Sequence, residues 1–291
     1  MSESKTAEIE FDFAQVGGIK LHYAKAGEGE KLILLLHGFP EFWYSWRHQL
    51  TDLSDEYTVV APDMRGYNLS DRPKDVSEYE IDKLSDDIAG LIQYFGHEKA
   101  AVFGHDWGAG IAWAVAGRYP EKVSKLACLQ VPPPSIWKKN QTLKQFFASW
   151  YMFFFQLPRL PEWMLTRNDY QKLAVALKTT TAQKGVFSTE DVEKYKKAWS
   201  EPGAITAALN YYRANIIKRM FGKGPKPEKI KVPTLFIYGE QDQAVLPQTV
   251  EGVGDFINAE YTELRIPEAA HWVQNEAREQ VTDALRKFLA D

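Results

Sequence analysis

Short, uninterrupted apolar runs alternate with longer segments of helical periodicity along the first half of the chain. The clearest runs are residues 31–36 and 100–103, which stop at His37-Gly38 and at Gly104. Such runs are typical of strands buried on both faces, and strands that alternate with helices form a mainly parallel sheet. Further strands are predicted at residues 19–24, 57–61, 123–129, 234–238 and 261–266. The pattern therefore predicts an α/β protein.

The texture of the sequence changes at Pro132, where aromatic-rich helical stretches replace the strand pattern until about Phe221. Residues 222–227 are rich in Gly, Pro and Lys and are interpreted as a linker, after which the strand pattern returns. We therefore predict a first core part at residues 1–131, an inserted all-helical cap at 132–228 and a second core part at 229–291. A last amphipathic helix is predicted at 273–289.

Composition excludes several classes of function. Charges of both signs are mixed along a chain of net charge -4, which does not fit a nucleic-acid partner. The single cysteine, Cys128, rules out an intramolecular disulfide and a thiolate metal site, and no metal or cofactor motif is present. The first ten residues lack the apolar core of a secretion signal, so a cytoplasmic location is expected. The sequence leaves a homodimer open.

The longest apolar stretch, residues 146–157, is shorter than the roughly twenty residues of a membrane-spanning helix, so no transmembrane segment is expected. A role at a membrane surface is not favoured either, because the stretch lacks flanking basic residues on a polar face.

The sequence Gly-His-Asp-Trp-Gly at residues 104–108 stands where a buried strand passes directly into a helix. It matches the nucleophile elbow of the α/β-hydrolase fold, in which small residues flank a central nucleophile in a strained turn. That position carries Asp106, whose carboxylate is ionised at neutral pH and attacks carbon without a base, forming an ester. By itself the pentapeptide also fits a helix that begins with Asp106 as its N-cap.

Other segments favour the nucleophile. His-Gly-Phe-Pro at residues 37–40 follows an early strand, where this fold places an oxyanion-hole donor, so the amides of Phe39 and Trp107 are predicted to converge on the Asp106 carboxyl. Such donors stabilise the oxyanion formed when an ester is hydrolysed. Taken alone, His-Gly-Phe-Pro also fits a plain strand-to-loop turn.

The triad order of this fold is nucleophile, acid and base, and His271 alone among the six histidines lies beyond the elbow. For the acid that orients its imidazole we choose Asp242, which follows the strand at 234–238, with Glu240 in reserve. The preceding strand ends at Gln130 and offers no carboxylate. His22 and His97 are expected at the surface, whereas His37, His48 and His105 are expected to be structural.

In these motifs the sequence resembles the epoxide hydrolases of the α/β-hydrolase fold, over nearly the whole chain. The matching segments are His-Gly-Phe-Pro-Glu at residues 37–41, Ser-Trp-Arg at 45–47, Pro-Asp-Met-Arg-Gly-Tyr at 62–67, the elbow, and His-Trp-Val-Gln at 271–274. The resemblance implies conversion of small apolar epoxides and water to vicinal diols, without a cofactor. It also implies two cap tyrosines that donate to the epoxide oxygen, at Tyr151 and Tyr212, with Tyr211 as the alternative to Tyr212.

Aromatic residues are enriched in the predicted cap and indicate an apolar pocket, for which we expect Trp107, Trp150 and Phe154 to bind substrate. A haloalkane dehalogenase would share the Asp-Trp pair but needs a second N–H donor for the halide, often an asparagine where this chain has Phe39, although Trp150 could supply one. A binding protein that keeps the pocket without turnover is the alternative from another class. An intact nucleophile, acid and base argue against it.

Overall fold

Eight strands form one sheet in the computed structural model, which describes residues 8–221 and 229–291. Their spatial order is β1-β2-β4-β3-β5-β6-β7-β8. The bounds are β1 Glu10–Val16, β2 Ile19–Ala26, β3 Lys31–Leu36, β4 Tyr57–Pro62, β5 Ala100–His105, β6 Val123–Leu129, β7 Thr234–Gly239 and β8 Tyr261–Ile266. All pairs from β4 to β8 are parallel, whereas β1 and β2 join the sheet antiparallel. The predicted α/β-hydrolase fold with a mainly parallel sheet is confirmed.

The central strands β3 and β5 are apolar on both faces because helices cover both sides of the sheet. They pair in parallel, with Leu34 opposite Val102 and Leu36 opposite Gly104. The carboxyl ends of these two strands therefore meet at one edge, where open α/β sheets bind ligands.

The antiparallel hairpin at the sheet edge was not predicted, because no strand was expected before Ile19. Gly17 and Gly18 both have positive φ, 54° and 86°, which the two-residue turn between β1 and β2 requires. Strand β1 is half exposed, so its sequence lacks the continuous apolar run by which the inner strands were found.

Eleven α-helices lie within the described part of the chain. They are α1 Arg47–Asp52, α2 Ile81–Tyr94, α3 Trp107–Arg118, α4 Pro134–Lys139, α5 Leu143–Ala148, α6 Trp150–Phe154, α7 Leu160–Thr179, α8 Thr189–Trp199, α9 Ala204–Phe221, α10 Val273–Glu276 and α11 Arg278–Ala290. Helices α4 to α9 follow one another between β6 and β7, and α7 is broken by non-helical backbone at residues 167–170. The predicted linker at 222–227 lies outside the described residues.

Two predictions from the sequence were wrong. The single helix expected at 273–289 is two helices, because Ala277 leaves helical geometry (φ -120°, ψ 48°) between α10 and α11. The carboxylate of Glu276 accepts the amides of Ala270 and Trp272, which ties α10 to the preceding loop. His22, expected at the surface, is buried, and its Nδ1 lies 2.6 Å from the Asp63 carboxylate.

Candidate active site

The turn between β5 and α3 forces Asp106 into an unusual backbone conformation, with φ 51° and ψ -118°. Neighbouring chain approaches so closely that only glycine fits on either side. A Cβ on Gly108 would lie 2.1 Å from the Leu36 carbonyl oxygen, and one on Gly104 would lie 2.2 Å from the Gly108 carbonyl oxygen. The elbow therefore exposes the Asp106 side chain above the carboxyl ends of β3 and β5.

Two backbone amides reach the Asp106 carboxyl. The Phe39 amide donates to Oδ1 at 2.8 Å, and the Trp107 amide favours the ionised form of the same carboxyl group. The loop that carries Phe39 is held by His37, whose Nε2 accepts the Met64 amide at 2.9 Å, which leaves Nδ1 as the donor to the Gly38 carbonyl. The structure thus brings both predicted oxyanion donors to the predicted nucleophile.

His271 lies between two carboxylates. Its Nδ1 is 2.8 Å from Asp242 Oδ2, and its Nε2 is 3.7 Å from Asp106 Oδ2. The first distance is a hydrogen bond in which Nδ1–H donates, and the second is too long for one. Nε2 therefore faces the free oxygen of Asp106 across a gap.

The predicted acid, Asp242, is fixed by directional contacts on both oxygens. Oδ1 accepts the amides of Ala244 and Val245 at 2.7 and 3.0 Å. Oδ2 accepts, besides His271, the side-chain amide of Gln130 at 2.6 Å. Glu240, the reserve candidate, is exposed and makes none of these contacts.

Gln130 is a site residue that the sequence did not reveal. It is buried with φ 68°, its amide also donates to the Ala270 carbonyl at 2.9 Å, and its oxygen accepts the Gly239 amide at 2.6 Å. It thereby joins the ends of β6 and β7 to the loop that carries His271. The one signal in the sequence is its position, directly after a buried strand.

A second buried pair, Glu41 and His105, contacts the loop that carries His271. Glu41 Oε2 lies 2.7 Å from His105 Nδ1, and His105 Nε2 lies 2.7 Å from the His271 carbonyl oxygen. His105 thus joins the Glu41 carboxylate to the loop that carries His271. Burial opposes ionisation of Glu41, yet the neighbouring His105 lowers its pKa. Sequence reasoning treated His105 as structural and gave Glu41 no separate role.

Burial and charge act in opposite directions on the central groups. Burial raises the pKa of Asp106, although His271 and the two amides favour its ionised form. Burial alone would lower the pKa of His271, but Asp242, Asp106 and Glu41 together raise it to about 9. The pKa of Asp242 is lowered because His271 and the amides outweigh its burial. The raised pKa of His271 favours the imidazolium in the resting site at neutral pH.

Two tyrosines of the predicted cap approach the elbow from the opposite side. The rings of Tyr151 and Tyr212 are 6.0 Å apart, and the Tyr212 ring stands edge-on to Trp107 at 5.1 Å. The Trp107 side chain interacts with the Tyr212 hydroxyl and acts against the rise of its pKa. Burial and the Asp106 charge raise the pKa of both tyrosines, so both are neutral donors.

Tyr211, the alternative to Tyr212, is committed elsewhere. Its hydroxyl donates to the Arg65 carbonyl at 2.7 Å in a fully buried position. Of the residues expected to bind substrate, Trp107 lies in the site and Phe154 is half buried in the ring cluster around it. Trp150 is exposed on the outer surface, with its ring 5.8 Å from that of Phe154.

The sheet topology, the strained elbow and the buried Asp-His-Asp cluster together define a hydrolase of the α/β-hydrolase class. The chain matches the alpha/beta hydrolase fold family over residues 31–277. It is 41% identical to the AB hydrolase superfamily protein YfhM of Bacillus subtilis, over 97% of this chain and 98% of that protein. Epoxide hydrolase 1 of Caenorhabditis elegans is 40% identical over 93% of this chain and 68% of its own length.

Among solved structures, an epoxide hydrolase of Bacillus megaterium in complex with an inhibitor superposes with a TM-score of 0.87 at 32% identity, covering 96% of this chain and 100% of that one. The chain belongs to the α/β-hydrolase family, as an enzyme of its epoxide hydrolase group. The resemblance inferred from the sequence motifs is thereby confirmed.

Proposed function

We propose that this enzyme opens apolar epoxides to vicinal diols through a hydroxyalkyl ester on Asp106. The main support for the proposal is that the two oxygens of that carboxylate have different surroundings. Oδ1 accepts the Phe39 amide, whereas Oδ2 is 3.7 Å from His271 Nε2 and free to attack. Oδ2 can therefore form the ester bond. Oδ1 already lies at a donor that would stabilise the oxyanion when the ester is hydrolysed.

In the first step, Asp106 Oδ2 bonds to an epoxide carbon and the ring C–O bond breaks. The departing oxygen takes a proton from Tyr151 or Tyr212, while the other tyrosine donates a hydrogen bond. The high pKa of both phenols supports this role, because each keeps its proton until charge develops on the epoxide oxygen.

Ester formation removes the Asp106 charge, which is one cause of the raised pKa of His271. That pKa falls in the intermediate, so the imidazolium releases its proton, which restores the tyrosine that the first step left deprotonated, and the neutral imidazole becomes a base. In the second step, a water loses a proton to His271 and attacks the ester carbonyl carbon. The oxyanion that forms is held by the amides of Phe39 and Trp107. Its collapse passes the remaining hydroxyl proton to the leaving oxygen, releases the diol and regenerates the Asp106 carboxylate.

The dehalogenase alternative is weaker because neither residue considered for the second halide donor is suited to that role. Trp150, which could supply the second donor, is 59% exposed. The amide of Phe39 serves the Asp106 carboxyl, and the Phe39 side chain offers no donor.

The test is to trap the ester. His271→Gln should still be alkylated but should not turn over, because Asp106 attacks without a base and only the second step needs the imidazole. Intact mass spectrometry after adding styrene oxide should show the protein heavier by the whole epoxide, and digestion should locate the adduct on Asp106. A bromoalkane would add only its alkyl group.

The matched control is His97→Gln, which changes a half-buried histidine outside the site and should hydrolyse the epoxide normally without accumulating an adduct. Normal turnover by folded His271→Gln, or an adduct on a residue other than Asp106, contradicts the mechanism. Bromide release by the wild type without diol formation would instead favour the dehalogenase.

A further inference from the structure

Helix α5 buries a polar side chain and exposes apolar ones. Its polar residue Gln145 is fully buried, where its amide donates to the Ala244 carbonyl at 2.7 Å and to Ser149 Oγ at 2.9 Å. The Gln145 side-chain oxygen accepts the Leu246 amide at 2.8 Å. The polar side of α5 is thus fastened to the loop after β7, and this anchoring fixes which side of the helix faces outward.

The outward side is apolar. Leu143 is 80% exposed and Phe147 is 70% exposed. They stand four residues apart on one helical face. Phe146 and Trp150 continue the same stripe at helical spacing, and both are exposed. We call these four side chains the α5 stripe. A surface helix normally turns its apolar stripe toward the core, so this arrangement indicates a face that is covered by something outside the chain.

The charge around the α5 stripe points to the chemistry of the occupant. Residues 122–161 contain no Asp or Glu and six Lys or Arg, in a chain that has 39 acidic residues and a net charge of -4. Lys144 lies on α5 itself, about 100° around the helix from Leu143, and so flanks the α5 stripe. Lys138 lies in the last turn of the preceding helix, α4. Both lysines are exposed, and no carboxylate in residues 8–221 or 229–291 pairs with either.

We infer that the α5 stripe docks on an anionic lipid surface, with Leu143, Phe147 and Trp150 in the headgroup and acyl boundary and with Lys138 and Lys144 on the phosphates. Exposed aromatic and leucine side chains flanked by lysine are the chemistry that such a boundary binds. In the described part of the chain no helix is long and apolar enough to cross a membrane, so the contact is one of docking. From the sequence, a surface role was not favoured because residues 146–157 lack flanking basic residues on a polar face. The structure adds Leu143 to the exposed apolar side and places Lys144 beside it.

A second copy of the chain fits this face less well. A two-fold pairing of identical α5 stripes would bring Lys138 and Lys144 near their own counterparts. The segment supplies no carboxylate to neutralise them, because it contains no acidic residue. An anionic surface satisfies the apolar and the basic features together.

The α5 stripe also connects to the active site through packed rings. The Trp150 ring is 5.8 Å from Phe154, Phe154 is 6.1 Å from Phe155, and Phe155 is 5.0 Å from Tyr212. The docked face and the candidate site thus share one apolar cluster of rings. Docking itself does not rest on the proposed function.

The experiment is co-sedimentation of the full chain with vesicles of phosphatidylcholine alone or mixed equally with phosphatidylglycerol. The wild type should bind the mixed vesicles and lose binding as salt is added. The double variant Leu143→Gln/Phe147→Gln should lose binding about tenfold or more, whereas Val175→Gln, at an exposed apolar position on α7, should bind like the wild type.

Charge reversal separates the electrostatic contribution to vesicle binding from the apolar one. Lys138→Glu/Lys144→Glu should lose about tenfold or more on the mixed vesicles, because each basic residue near an anionic surface contributes on the order of 1 kcal/mol. The matched control is Lys172→Glu/Lys178→Glu on α7, which changes the net charge equally and should retain binding. All variants are compared at equal folded fraction by circular dichroism.

Wild-type binding that equals that of Leu143→Gln/Phe147→Gln overturns the inference. So does a wild-type dimer that becomes monomeric in this variant without any vesicle binding, since a second copy would then cover the α5 stripe. Turnover of styrene oxide without vesicles tests the proposed function separately, because docking is read without catalysis.

Discussion

The α/β core and the helical segment at residues 132–228, which we propose as the cap, hold their candidate functional side chains by different kinds of contact. In the core, directional hydrogen bonds fix each group: Asp242 accepts two backbone amides and the Gln130 side chain, and Asp106 accepts the Phe39 amide. In the cap, Tyr151 and Tyr212 are positioned mainly by ring packing, with Phe155 between 5.0 and 5.6 Å from both. Directional contacts tolerate little displacement, whereas packed rings can shift together.

From this difference we propose that the core carries the chemistry and that the cap adapts to the substrate. A nucleophile and a base need fixed geometry, because a small misplacement of reacting groups slows the reaction severely. Donors to an epoxide oxygen must follow substrates of different size. Helices that carry aromatic side chains on few backbone anchors suit that need, and we therefore expect substrate range to depend on residues such as Phe154.

The largest effect should come from removing both cap donors. Tyr151→Phe/Tyr212→Phe should abolish measurable alkylation of Asp106, whereas each single change should slow it on the order of 10- to 100-fold, because a hydrogen bond to a developing charge contributes about 1.5–3 kcal/mol. The rate is read by quenched-flow mass spectrometry of the ester.

Tyr211→Phe is the matched control, since its hydroxyl serves the Arg65 carbonyl and not the site. It should leave alkylation within a few-fold of the wild type while lowering stability by about 1 kcal/mol. If Tyr211→Phe slowed alkylation as much as Tyr212→Phe, the second donor would be misassigned.

A smaller effect should show how little space the core elbow allows. Gly108→Ala should lower the free energy of unfolding by about 1–3 kcal/mol or more, because its Cβ would meet the Leu36 carbonyl oxygen at 2.1 Å. Gly110→Ala, on the same helix with open space around it, should be neutral or stabilising by up to about 1 kcal/mol. Urea unfolding measures both, and equal stability of the two variants would show that the elbow can relax.

How far the sequence predicts this structure depends on whether a contact is local. Strands β3 and β6 have the predicted bounds, because apolar runs and the turn residues after them lie within a few residues of each other. The elbow was found for the same reason, because its motif is contiguous in the sequence. The bond between Gln130 and Asp242 joins residues 112 positions apart and depends on a positive φ at Gln130, which no local pattern shows. The exposure of the apolar side of α5 could not be predicted for the same reason, because it depends on the distant contacts of Gln145 with Ala244 and Leu246.

The smallest and most specific effect concerns the pKa of His271. This pKa measures how strongly the neighbouring carboxylates of the core act on the imidazole. Its pKa is raised from 6.5 to about 9, and because burial acts the other way, the neighbouring Asp242, Asp106 and Glu41 cause the rise. Asp106→Asn removes one of these charges and should lower the pKa measured by NMR titration of the imidazole. Asp242→Asn should lower it further, since Asp242 is both nearer and hydrogen-bonded.

The sign of the linked effect on stability follows from the direction of that shift. Because the folded pKa of His271 lies above 6.5, its contribution to stability is complete below pH 6.5 and is lost as the pH rises through about 9. The free energy of unfolding of the wild type should therefore fall more steeply between these pH values than that of His271→Gln. A wild-type pKa at or below 6.5 would contradict the coupling, and with it the idea that esterification of Asp106 turns His271 from an imidazolium into a base.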